Sequence, residues 1–275
     1  MPLKWFIGAV MLVAAATAQA DPAKDLKQFQ DYFKKKFPNV EFADYANGAY
    51  ALDEKFREQW KEMEEFPPYE LDVDAGKALW EKPFANGKSY KDCFTEDLKD
   101  IRAKYPYYDA KKDTIATMEG ALNECRKSNG EEPIKDLKRN EMAQLVAYVA
   151  MEGRGQKINI PTPKGGALKW YEKGKNFFYT KRGQLNMACA DCHIQSSGKF
   201  LRAELLSPAL GHTTHWPVYR SKWGYLGTLH QRYIGCNEQV RAQPFKPQSD
   251  EYKALEFFET YMSNGLEWNG PASRK

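Results

Sequence analysis

The sequence has little of several features that mark common classes of protein. It has no arginine-rich tract, and its 41 basic and 37 acidic residues are interleaved, giving a formal net charge of +4. Such weak, dispersed charge gives no support for nucleic-acid binding. The only long apolar run lies at the N-terminus and falls short of the ~20 residues that a membrane span needs. A chain of 275 residues with 42% hydrophobic content can instead bury the cores of two small domains.

The N-terminal apolar run has the layout of a secretion signal. Residues 1–20 contain a single basic residue, Lys4, near their start. They end in Ala18-Gln19-Ala20, the small-x-small pattern that signal peptidase accepts. We expect cleavage after Ala20, which leaves 40 basic against 37 acidic residues, or +3. The alternative is an N-terminal membrane anchor, which the short run disfavours. Export places the cysteines in an oxidising compartment, where they end as disulfides, thioethers or metal ligands.

Two segments of the chain repeat one another. Each has a cysteine followed by a proline after eight residues and a methionine after 26: Cys125, Pro133 and Met151, then Cys236, Pro244 and Met262. Each closes on a helix-period apolar stripe that we expect to be core: Met142, Leu145, Val146 and Val149, then Leu255, Phe258 and Met262. We predict helical units at 74–157 and 166–270, joined by the helix-breaking stretch NIPTPKGG. A helical extension at 21–73 packs against them, and nothing in it suggests chemistry.

The stretch NMACADCHIQ carries Cys189, Cys192 and His193. Cys-x-x-Cys-His lets two thiols bond to one haem while the adjoining imidazole reaches the iron. A thioredoxin-like site would need a βαβ context that the sequence lacks, and a zinc site would need a second ligand pair. We therefore predict a mainly α fold of two tandem cytochrome c-like domains, the second with one covalently bound haem c.

The cysteines outside this motif are three in number, so they cannot all pair with one another. Cys93 stands where the second unit has its haem cysteines, but the sequence continues as CFTED, with Glu96 and Asp97 in place of the second Cys and the His. The first unit is thus predicted to lack haem. A disulfide between Cys93 and Cys125 would restore a cross-link there, and the alternative is two buried free thiols.

Cys236 is the remaining sulfur, and it lies 44 residues after Cys192, where small cytochromes commonly supply a second axial ligand. A buried structural thiol is the alternative, and other candidate ligands remain open: Met262, Met187, His212, His215 and His230. Arg232 stands four residues before Cys236, hence on the same face of a helix, where the first repeat has Ala121. Its guanidinium would lower a thiol pKa and bind an anion. Further positive charge is available from Arg220, Lys222 and Arg241.

Seven segments together resemble the SoxA family of the bacterial Sox thiosulfate-oxidising system: FPPYE, FANGKSYKDCF, IRAKYPYYD, NECRKSNGEEPI, CADCH, HWPVYR and RYIGCNEQVRAQPF. The resemblance covers nearly all of the chain after the signal. At CFTED the sequence departs from the two-haem members and is similar to the one-haem type, in which a disulfide replaces the first haem.

The resemblance implies a periplasmic cytochrome that pairs with a small c-type cytochrome, SoxX. The family's reaction joins thiosulfate oxidatively to a cysteine of the carrier SoxYZ, as an L-cysteine S-thiosulfotransferase. It implies that Cys236 is the axial ligand opposite His193 and is held as a persulfide or related adduct, and that Arg232 assists at the active site. The alternatives are a thiosulfate dehydrogenase that forms tetrathionate and a plain electron-transfer cytochrome.

Overall fold

The computed structural model describes residues 21–274, so the predicted signal at 1–20 and its cleavage site lie outside the described residues. The fold is mainly α-helical, as predicted. The extension contains helix α1 (Pro22–Lys36), a 3₁₀ segment (Phe42–Ala51) and helix α2 (Glu54–Glu65). Phe29 and Phe33 of α1 are buried in the larger core cluster, so this extension is part of the core of the second half.

The first half of the remaining chain consists of helices around one short hairpin. Its elements are α3 (Glu70–Glu81), α4 (Tyr90–Cys93), α5 (Leu98–Lys104), β1 (Tyr107–Asp109), β2 (Thr114–Ala116), α6 (Met118–Ser128) and α7 (Glu141–Glu152). Helix α3 begins before residue 74, so it crosses the boundary expected between the extension and the first unit. Acidic side chains in its first turn, Glu70 and Asp72, favour this earlier start because they complement the helix dipole.

The second half follows a similar order with one added hairpin. Its elements are α8 (Gly166–Tyr179), a π-helical turn (Asp191–Gln195), β3 (Phe200–Leu201), β4 (Glu204–Leu205), β5 (Val218–Arg220), β6 (Tyr225–Gly227), α9 (Leu229–Gln239), α10 (Asp250–Met262) and β7 (Ala272–Arg274). Strand β5 lies between antiparallel β6 and parallel β7.

Each half contains a hairpin followed by a helix that carries the repeated cysteine, Cys125 or Cys236. These two elements are alike in the two halves. In β1/β2, Tyr107 pairs with Ala116, and in β5/β6 Val218 pairs with Gly227. A threonine follows each hairpin as the N-cap of the next helix. Because these positions keep the same spacing as Cys125 and Cys236, the repeat seen in the sequence corresponds to a repeated hairpin-helix element.

A glycine contact marks the helix crossing in each half. A Cβ on Gly76 of α3 would lie 2.0 Å from the carbonyl oxygen of Gln144, and one on Gly174 of α8 would lie 2.0 Å from that of Ala254. Only glycine permits this approach of two backbones. The sequence separation between Gln144 and Ala254 is one residue shorter than that between Cys125 and Cys236. The gap-free match of Met151 to Met262 is therefore one position out of register at this contact, because the loop before α10 (240–249) is shorter than the loop before α7 (129–140).

The predicted apolar stripes form much of the core of each half. Met142, Leu145 and Val149 are buried in the smaller core cluster, and Phe258 and Met262 are buried in the larger one. Within the described residues, no helix is long and apolar enough to cross a membrane.

A disulfide joins Cys93 and Cys125 with Cα atoms 5.8 Å apart, in agreement with the predicted pairing. Aromatic side chains pack beside it in the core: Trp80, Phe84, Tyr90 and Phe94. Glu96 and Asp97, which replace the second Cys and the His, form surface ion pairs with Lys104 (2.8 Å) and Lys99 (3.3 Å). Both carboxylates thus form solvent-exposed ion pairs. The aromatic side chains fill the adjoining interior.

Candidate functional site

The CADCH motif lies on a short, tightly bonded turn. Asp191 begins the π-helical turn, and its carboxylate accepts a hydrogen bond from the backbone N–H of Ala188 (2.8 Å). His193 is buried, and its Nδ1 lies 3.0 Å from the carbonyl oxygen of Ser207. Since a carbonyl only accepts, Nδ1 carries the proton and Nε2 has the free lone pair. The turn thus holds a neutral imidazole with its ligating nitrogen available.

The predicted haem residues meet around one cavity of about 730 Å³, here called the haem cavity. Its walls include Cys189, Cys192 and His193 from the CADCH turn and Arg232 and Cys236 from α9. The rest of the lining is largely apolar, with Phe177, Leu201, Leu206 and Leu255. Sequence-distant sulfurs therefore face a common space.

The electrostatics of the three motif residues suit an uncharged, buried attachment. Burial raises the pKa of the Cys189 thiol, and burial with the nearby Cys236 raises that of Cys192. A thioether carries no charge, so burial that opposes a thiolate does not oppose it. Burial, with the neighbouring His212, lowers the pKa of His193, which keeps its imidazole neutral for ligation. These residues fit a covalently attached haem.

The other candidate ligands separate by position. His230 packs against α10 and the segment before it: it accepts from the backbone N–H of Gln248 (3.0 Å), and its Nε2 lies 3.1 Å from Glu256. Met262 is buried in the core with Phe258. None of these residues is among those that line the haem cavity. Both His230 and Met262 thus have a structural role in the fold.

His212 lines the haem cavity, but on the same side as His193. Their ring centroids are 4.4 Å apart. Two imidazoles on opposite sides of one metal lie farther apart than this, because two metal–nitrogen bonds of about 2 Å and the two ring radii separate their centroids. Its Nδ1 lies 2.7 Å from the buried carboxylate of Glu259, which also accepts from the Tyr233 hydroxyl. Met187 and Cys236 remain as sulfur atoms lining the cavity; His215 lines a second cavity instead.

The second cavity, of about 820 Å³, shares His193, His212 and Arg232 with the first. It has a cationic wall that includes Arg220 and Arg274. Arg220 is buried, and burial with the neighbouring Arg232 lowers its pKa. Of the extra cations predicted near the site, Arg220 thus lies in it, while Lys222 and Arg241 are exposed.

The N-terminal extension contributes contacts to the site, although nothing in its sequence suggests chemistry. The Lys36 ammonium donates to the carbonyl oxygens of Ile194 (2.5 Å) and Gln195 (3.0 Å) and to the Ser197 hydroxyl (2.9 Å). These acceptors follow His193 directly, so Lys36 fixes the end of the CADCH turn. Tyr50 of the 3₁₀ segment lines the second cavity. Nothing in the local pattern around Lys36 distinguishes it from the adjacent lysines.

Known proteins match this chain over nearly its whole length. The model of the family described as "SoxA/TsdA, cytochrome c domain" matches residues 75–158. The chain is 55% identical to "L-cysteine S-thiosulfotransferase subunit SoxA" of Chlorobaculum tepidum, with 98% of this chain and 97% of that protein covered. It is 52% identical to the protein of the same name from Allochromatium vinosum, covering 98% and 95%. It also resembles the crystal structure of SoxXA from P. pantotrophus (TM-score 0.70, 31% identity, 76% of this chain and 79% of that chain).

Proposed function

The chain belongs to the SoxA family of L-cysteine S-thiosulfotransferase subunits, and we propose from that premise that Cys236 and Arg232 carry the family's reaction at the haem cavity. The protein is a c-type cytochrome subunit that conjugates thiosulfate oxidatively to a protein cysteine. The observation that carries the site assignment is the meeting of a thiol, a guanidinium and the CADCH residues around one cavity.

Cys189 and Cys192 would hold the haem as thioethers, and His193 and Cys236 would bind its iron. A bound haem would supply an electron acceptor. The Ser207 carbonyl orients His193 through Nδ1, and Lys36 holds the backbone after it. One haem is proposed for the chain, because the disulfide and the aromatic cluster stand in the first half where a second would lie.

The overall reaction forms one sulfur–sulfur bond. The terminal sulfur of thiosulfate joins the carrier cysteine sulfur, the S–H bond of that cysteine breaks, and one proton and two electrons leave. Cys236 would hold the thiosulfate sulfur first and pass it to the carrier thiol by exchange at sulfur. Arg232 would bind the sulfonate oxygens through its forked N–H donors. The electrons would leave to a SoxX-type cytochrome, the partner named in the matching crystal structure.

The wider setting follows from the same premise. We place residues 74–157 and 166–270 as tandem cytochrome c-like domains, supported by the common hairpin register and the two glycine crossings. The mature protein would act in the periplasm after cleavage at Ala20, with SoxYZ as the carrier.

Product analysis tests this function. The haem-loaded protein with its partner cytochrome, thiosulfate and an electron acceptor should add a thiosulfonate group to the carrier cysteine, seen as a mass increase of the intact carrier. Tetrathionate formed equally well without carrier would instead indicate a thiosulfate dehydrogenase. Haem reduction with neither product would indicate an electron carrier.

Arg232→Ala should raise the KM for thiosulfate by about ten- to a hundredfold, which corresponds to the loss of one or two charge-assisted hydrogen bonds. Haem content should stay unchanged because Arg232 is only partly buried. Steady-state kinetics at fixed carrier concentration measure the effect. Arg241→Ala removes an exposed arginine just beyond the same helix and serves as the matched control. Equal KM values for the two variants would contradict the role of Arg232.

A further inference from the structure

The hairpin β3/β4 is a small, weakly held element at the mouth of both cavities. Its strands contain two residues each, and isolated two-stranded hairpins are marginally stable in water. Phe200 and Leu201 are 57% and 50% exposed. The Phe200 ring contacts that of Phe56 on α2 at 5.8 Å between centroids. The hairpin therefore depends on a few contacts with its surroundings to remain closed.

Glu204 makes the ionic part of those contacts. One oxygen of its carboxylate lies 3.2 Å from Nη2 of Arg220 and 3.7 Å from Nζ of Lys222. Burial opposes the charged form, but Arg220, Arg232 and Lys222 together lower the pKa of Glu204. The residue is therefore an anion at neutral pH. It lines both cavities, as Arg232 does.

The two side chains of the Glu204–Arg220 ion pair differ in how freely they can move. The Arg220 side chain is 9% exposed and stands on β5, the central strand of its sheet, whereas that of Glu204 is 39% exposed on the hairpin. A half-exposed ion pair contributes little stability, so the carboxylate can leave while the guanidinium stays. An incoming anion would then meet cations that are already in position.

We propose that Glu204 is a resident anion that occupies the cationic part of the site and is displaced by the sulfur oxyanion substrate, so that it sets the affinity of the site for anions. This inference rests on the proposed function for the identity of the anion. Thiosulfate carries two negative charges against the single charge of Glu204, so it competes for Arg220 and Arg232 more strongly than a monoanion does. Displacement of Glu204 also releases the hairpin and widens the path to Cys236.

Glu204→Gln tests the proposal in the haem-loaded protein with its partner. The amide is nearly isosteric but neutral, so thiosulfate should bind about three- to tenfold more tightly in a calorimetric titration. Backbone amides of residues 199–206 should exchange with deuterium faster, because the ionic contact that closes the hairpin is lost. Nitrate, a monoanion, should gain affinity as well, because the same carboxylate no longer has to be displaced.

Glu238→Gln is the matched control. Glu238 is an exposed carboxylate on α9, so this substitution removes the same charge at a place away from Arg220. It should leave both readouts at wild-type values. If Glu204→Gln also leaves thiosulfate affinity and hairpin exchange unchanged, or weakens binding, the proposal is overturned. A calorimetric gain together with no carrier conjugation in any variant would overturn the proposed function and support the role of Glu204.

Discussion

Cys236→Met should lower thiosulfate conjugation by at least about a thousandfold, as expected when the nucleophilic group of a covalent mechanism is removed. The thioether of methionine can still face iron but cannot form an exchangeable sulfur–sulfur bond. Cys189, Cys192 and His193 lie on a separate turn, so the haem should remain covalently attached. Intact mass of the carrier measures conjugation, and the alkaline pyridine spectrum measures haem content.

A matched control separates loss of the thiol from damage to helix α9. Gln239 stands on the same helix, lines the same cavity and is exposed, so Gln239→Ala should keep conjugation within about twofold of wild type, as for ordinary surface substitutions. Conjugation at wild-type rate by Cys236→Met would refute the assignment of Cys236. Loss of attached haem in this variant would instead indicate that Cys236 supports the fold of the cavity.

The parts of the site that the sequence predicts are those set by local chemistry or by the repeat. Cys-x-x-Cys-His is a contiguous motif, so its chemistry is visible without a fold. Cys236 is found by comparing the repeats and by counting cysteines, and Arg232 by helical spacing from it. The structure brings these residues around one cavity, which the CADCH turn and α9 both line.

Other parts depend on contacts between distant segments and leave no local pattern. Lys36 meets the haem turn across 158 residues of chain, and it lies among three consecutive lysines that all fit the ordinary basic end of a helix. Glu204 lies in a hairpin too short to show alternation. The one-residue slip between Met151 and Met262 arises in a loop, where insertions cost little. Spacing alone could not reveal any of these.

The first half is held together by a disulfide and by packed aromatic side chains. The disulfide links α4 to α6, and Trp80 stacks on Tyr90 at 5.4 Å between ring centroids. The aromatic rings supply buried apolar area, and the disulfide limits the freedom of the unfolded chain. Neither contact requires a residue of the haem cavity in the second half. The stability of the first half can therefore be changed without changing the chemistry of the second.

The variant with both Cys93→Ala and Cys125→Ala should lose about 3–4 kcal/mol of unfolding free energy, the value expected from loop-closure entropy for a sequence separation of 32 residues. Chemical denaturation is followed by hydrogen exchange of the α6 amides, which reports the first half, and by the Soret absorbance, which reports the haem-bearing half. The hydrogen-exchange midpoint should fall much more than the Soret midpoint. A reductant should bring the wild type to the same midpoint and leave the variant unchanged, because only the wild type has a bond to reduce. Equal midpoints for oxidised wild type and variant would mean that the aromatic cluster alone stabilises this half.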